Sequence, residues 1–154
     1  MRITHDRSDV ERQIVHANFT VRWTRGCVLT RLHGGCPDDT EGRTIIGQCA
    51  IVLTEAIRSA GPRWVSVLDM RGYGEVPQPL WLDLARLVHG LPSRPLHRAV
   101  ILAEGGVGDS QAQTSQLITA GHARFFSQLG DPAMLAWLTG GGTIDAPRLQ
   151  RLCC

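Results

Sequence analysis

The chain contains no lysine; all 16 of its basic residues are arginine. Without a lysine amine there is no Schiff base and no lysine general base, which excludes aldolase-like and pyridoxal-dependent chemistry. The P-loop is excluded as well, since its phosphate-binding lysine has no counterpart here. Base-composition bias explains the arginine excess more plainly than selection for phosphate recognition. Long apolar runs are also missing, and no stretch approaches the length that spans a bilayer. Residues 1–14 alternate charges and offer no apolar secretory core. The cysteines are Cys27, Cys36, Cys49, Cys153 and Cys154, an odd count with no C-x-x-C pair. That pattern fits neither a zinc site nor a secreted disulfide framework. Cys49 lies among apolar residues and reads as a small core residue. Cys153 and Cys154 could bind a soft metal or be prenylated, but a frayed terminus is the expectation.

What is present points to one globular domain. The 154 residues are 43% hydrophobic and 19% charged, with a formal net charge of +2. A chain of this size buries roughly two-thirds of the surface that its unfolded form exposes. Its apolar content argues against intrinsic disorder. So small a net charge does not call for a nucleic-acid partner. A single soluble cytoplasmic domain with no membrane span, metal or cofactor is expected.

Val15, Ala17, Phe19, Val21 and Trp23 alternate with His16, Asn18, Thr20 and Arg22, the period of a strand with one buried face. Thr24-Arg25-Gly26 supplies a turn, and Cys27 to His33 returns as a second strand, so a β-hairpin opens the domain. Asp38 and Glu41 have capping-box spacing. Ile45, Ile46, Cys49, Val52, Leu53 and Ala56 then recur at helical intervals until Gly61-Pro62, predicting a helix over about residues 40–60. Trp64 to Met70 reads as a buried strand, Leu80 to Leu91 as a second amphipathic helix, and Ala99 to Ala103 as another buried strand. A glycine-rich turn from Glu104 to Gly108 leads toward a third helix near Asp109 or Ser110. Ala123 to Ser127 fits either a short strand or part of a helical stripe with Ile118, His122 and Leu129. Asp131-Pro132 starts a closing helix through Met134 and Leu138. These elements predict an α/β fold with a single mixed sheet, the N-terminal hairpin followed by alternating helices and strands. Residues 1–14 and 140–154 are expected to be flexible, flanking a domain over 15–139.

Several segments resemble the SpoIIAA-like family of the STAS and CRAL-TRIO-related folds. They are the strand-to-loop passage Val67-Leu68-Asp69-Met70-Arg71-Gly72-Tyr73, the helix segment Leu80-Trp81-Leu82-Asp83-Leu84 and the strand Arg98-Ala99-Val100-Ile101-Leu102. Ala123-Arg124-Phe125-Phe126, Asp131-Pro132 and Ala136-Trp137-Leu138 complete the likeness, which runs from about residue 15 to 138. The resemblance favours a strand at 123–127. It implies a bacterial signalling module that binds protein partners, with some related folds holding lipids or nucleotides. The family's phosphorylatable serine has no equivalent, because Met70 to Glu75 contains neither Ser nor Thr.

Candidate sites follow from these placements. Asp69 and Glu104 fall at the C-terminal ends of strands, where open α/β sheets bind ligands. Together they could share a proton or hold a metal, or Asp69 could simply accept backbone N–H bonds from the turn after it. The Gly105 to Ser110 turn could cradle a phosphate, although it lacks the G-x-G-x-x-G fingerprint and Asp109 would repel the anion. No two histidines have the i, i+4 spacing of a helical metal site, and no G-x-S-x-G elbow occurs. Three functions remain open. The first is a non-enzymatic regulatory or protein-interaction module, with a homodimer as one form, whose surface is Arg71, Tyr73, Glu75 and Trp81. The second is a carrier or sensor that holds a small apolar or lipid-like ligand between sheet and helices, using Asp69, Tyr73, Leu84, Glu104, Phe125 and Phe126. The third is an enzyme that draws on Asp69, Glu104 or His122.

Overall fold

The longest helix, α1 (Asp39–Ala60), starts as its sequence dictates: the Asp38 side chain accepts a 2.8 Å hydrogen bond from the Glu41 backbone N–H. Gly61 ends it at φ 98°, a left-handed conformation that glycine adopts without steric cost. The computed structural model describes residues 10–35, 38–73, 78–103 and 123–154. Among these, six strands form one sheet: β1 (Arg12–Val15), β2 (Phe19–Thr24), β3 (Cys27–Leu32), β4 (Val65–Asp69), β5 (Arg98–Ile101) and β6 (Ala123–Phe126). Their spatial order is the chain order. β1, β2 and β3 pair antiparallel, and β3 to β6 pair parallel. The mixed α/β fold is therefore as expected, and residues 123–126 are a strand. The third helix expected near Asp109 or Ser110 lies outside the described residues.

Helices cover both faces of the sheet. α1 and α2 (Gln78–His89) pack on the face that carries Phe19, Val21, Trp23, Val28, Leu32 and Val100. Two short helices, α3 (Pro132–Thr139) and α4 (Ala146–Cys153), pack on the face that carries Cys27, Leu29, Val65, Val67, Ala99 and Ile101. The odd-numbered stripe of β2 thus turns toward α1, as its alternation predicts. At the β2–β3 turn, Gly26 has φ 84°, and a Cβ there would collide with the Thr143 carbonyl. That turn therefore requires glycine for its conformation and for close approach of the α3–α4 connection.

Two boundaries depart from the sequence reading. The alternation from Val15 to Trp23 is interrupted at His16–Asn18: the His16 backbone N–H donates to Phe19 O at 2.8 Å, and the Asn18 N–H donates to His16 Nδ1 at 3.2 Å. This turn sends the preceding residues back as β1, which pairs Ile14 with Val21 and Val15 with Thr20, so residues 12–14 are held in the sheet instead of flexible. The second departure is larger. Residues 146–153, expected within a flexible tail, are helical, with Leu149 and Leu152 wholly buried and Cys153 at 7% exposure. Asp145 accepts from the Arg148 N–H at 2.9 Å, a proline occupies the first turn, and the two leucines sit three residues apart on the inward side. Arg148 then ties the helix to the β2–β3 turn by donating to Thr24 Oγ1 at 3.2 Å and to Arg25 O at 3.1 Å.

Candidate functional site

Asp69 ends β4 at the carboxyl edge of the sheet, and its neighbours decide its chemistry. Arg71 donates through Nε to Oδ1 at 2.9 Å, through a terminal guanidinium nitrogen to Oδ2 at 2.8 Å, and through its backbone N–H to Oδ1 at 3.2 Å. Arg31 Nε lies 3.2 Å from Oδ2. Burial pushes the Asp69 carboxyl up, but the Arg71 hydrogen bonds and the charges of Arg71 and Arg31 outweigh it and hold the group below its ordinary value. A carboxylate so fully engaged is ionised, and it fixes the turn from Arg71 to Tyr73. A general base in waiting would be less committed. Its expected partners in catalysis, Glu104 and His122, lie outside the described residues, as does the Gly105 to Ser110 turn. Because strand order follows chain order, the described sheet also has no point at which that order reverses.

The surface expected from Arg71 to Trp81 is only partly in view. Tyr73 is 5% exposed and belongs to the core between α1, α2 and the sheet, so it offers no ring to a partner. Arg71 is exposed but engages Asp69. Glu75 and the Trp81 side chain lie outside the described residues.

The residues expected to line one ligand pocket do not converge either. Phe125 packs into the core under α1 and α2, whereas its neighbour Phe126 packs against the α3–α4 core. Adjacent strand residues point to opposite faces, so the two rings cannot share a ligand. Asp69, two residues beyond Val67 in the same strand, belongs with Phe126 on the α3–α4 side by that alternation.

A cavity does exist between sheet and helices, and it keeps Tyr73 and Leu84 from the expected set. It measures about 40 Å³. Its floor is Thr30 and Leu32 of β3, Ser66 and Leu68 of β4, and Arg98 of β5; its walls are Ile45, Ile46, Cys49 and Leu53 of α1 and Leu84, Leu87 and Val88 of α2. Trp64 closes one side, with its indole Nε1 donating to Ser93 Oγ at 2.8 Å. Burial pushes the Cys49 thiol up to about 12, so it stays neutral.

Arg98 is the residue that sequence reading passed over. Placed at the start of a buried strand, it could have been a solvated end; instead it is 6% exposed, on the floor of a mainly apolar cavity beside Thr30 and Ser66. Among the described residues, no carboxylate forms an ion pair with it. Desolvation alone lowers its pKa to about 10, so the guanidinium remains charged at neutral pH. Elsewhere among the described residues, no group of three or more His, Cys, Asp and Glu side chains could hold a metal ion. No helix among them is long and apolar enough to cross a membrane.

No family model, curated protein or solved structure matches the chain.

Proposed function

We propose that this chain is a binding module of the carrier or sensor kind, whose ligand sits in the cavity between the sheet and helices α1 and α2. The observation that supports it is the cavity itself: about 40 Å³ of space lined by residues of two helices and three strands. Interiors ordinarily pack without voids larger than a water. A water needs about 10–15 Å³ by this measure, so roughly three fit. That size narrows the ligand to a compact molecule and leaves no room for a lipid chain. The resemblance to SpoIIAA-like domains accords with a role in binding rather than turnover. Protein interaction over residues 71–81 has less support, because Tyr73 faces inward and the Arg71 side chain holds Asp69.

Xenon provides the test, since it enters small apolar cavities. Under xenon pressure, amide resonances around Leu53, Leu84 and Leu87 are expected to shift saturably. Cys49→Leu adds two heavy atoms at the cavity wall and is expected to abolish those shifts. It should also cost less than the roughly 1–3 kcal/mol typical of overpacking a filled core. Absence of saturable shifts, or shifts that survive Cys49→Leu, would rule the cavity out as the site.

A further inference from the structure

We infer that the ligand of this cavity is a compact monocarboxylate, held by the Arg98 guanidinium; this rests on the cavity being the binding site. Three observations lead to it. First, Arg98 is 6% exposed, lines the cavity and pairs with no carboxylate among the described residues. A buried unpaired charge is costly, and an incoming anion removes that cost while gaining the strength of a charge-assisted bond in a low-dielectric site. Second, no other charged side chain lines the cavity among the described residues, and Cys49 is held in its neutral thiol form. One positive charge matches a monoanion; a dianionic phosphate would arrive with a charge uncompensated. Third, about 40 Å³ holds roughly four or five non-hydrogen atoms, enough for a carboxylate with a short hydrocarbon stub. The planar fork of a guanidinium meets a carboxylate in two parallel hydrogen bonds. The hydroxyls of Thr30 and Ser66 share the floor with Arg98, and the leucines of α2 face the hydrocarbon end.

Propanoate and its neutral isostere propanamide separate the anion from the cavity. Each is titrated into the full-length ¹⁵N-labelled protein while amide shifts are followed. Propanoate is expected to bind saturably, with shifts centred on Thr30, Ser66 and Arg98, and propanamide at least about tenfold more weakly, the factor expected from one charge-assisted pair. Arg98→Met, which keeps an unbranched stem and removes the charge, is expected to erase that preference. Equal binding of the two probes by the wild-type protein overturns the carboxylate assignment and leaves the cavity as a site for neutral molecules. Saturable binding of neither overturns the carboxylate assignment, and the xenon shifts then decide separately whether the cavity is a site. The wild-type ratio decides the matter even if Arg98→Met fails to fold.

Discussion

Strands β3, β4 and β5 send Cys27, Leu29, Val65, Val67, Ala99 and Ile101 to one face of the sheet, and Thr30, Ser66, Leu68 and Arg98 to the other. The first face is closed by α3 and α4 with Met134, Leu138, Leu149 and Leu152, all wholly buried and all apolar. Its rim is finished by Arg124, whose guanidinium carbon sits 4.0 Å from the Trp137 ring centroid, a cation–π contact at the edge of the packing. The second face is covered by longer helices, yet holds a cavity with hydroxyls and a guanidinium on its floor. The buried carboxylate on the first side, Asp69, is paired with Arg71 and Arg31, whereas the second side buries a guanidinium with no carboxylate partner among the described residues. Burying polar side chains costs free energy unless they find hydrogen-bonding partners, and the proposed ligand would supply such a partner on the second face.

The sharpest way to break this contrast is to truncate a residue on the closed face. Leu149→Ala is expected to lower unfolding free energy by about 2–5 kcal/mol in denaturant titration, the range for a buried leucine with no room to collapse. A loss under about 1 kcal/mol, the surface-substitution scale, would return residues 146–153 to a loosely attached tail.

On the cavity face the sign should reverse. Arg98→Met removes a buried charge that has no carboxylate partner, and is expected to raise stability by about 1–3 kcal/mol in the absence of ligand. Destabilisation would show that the guanidinium is satisfied within the fold, and would place both faces in the same class.

A smaller and pH-dependent effect belongs to the sheet edge. The Asp69 carboxyl is lowered by Arg71 and Arg31, so its contribution is present above the unfolded value of about 3.9 and is lost as pH falls through the folded value. Asp69→Asn is expected to cost about 1–2 kcal/mol at pH 7, the scale of hydrogen bonds to a charged group. It should also flatten the stability profile below about pH 4. An unchanged acid limb would show that other carboxylates govern it.

Much of the fold was legible because its signals are local. Asp38 caps α1 through the Glu41 N–H as the spacing foretold, and the odd-numbered stripe of β2 turned inward. The signal for α4 was present too: Asp145 with a proline two residues on is similar to the Asp131-Pro132 start of α3, and Leu149 and Leu152 supply a buried stripe. Position near the chain end had suggested fraying, but burial of two leucines outweighs the entropy of a short helix. Strand alternation already separated Phe125 from Phe126, so a common pocket for both conflicted with the sequence itself.

The candidate site was legible only in part. Leu84 fell on a helical stripe and Tyr73 on the adjoining turn, and both line the cavity. Arg98 gave no warning, because a charged residue at the start of a strand has the same pattern whether water or a helix lies above it. The sequence by itself determined the order of the elements and which side chains share a face, because periods of two and of three to four residues are properties of the backbone. Only the tertiary structure decided that α1 and α2 enclose Arg98 and leave a void beside it. Burial and pairing depend on side chains brought together from β3, β4, β5, α1 and α2, and no local spacing encodes that meeting.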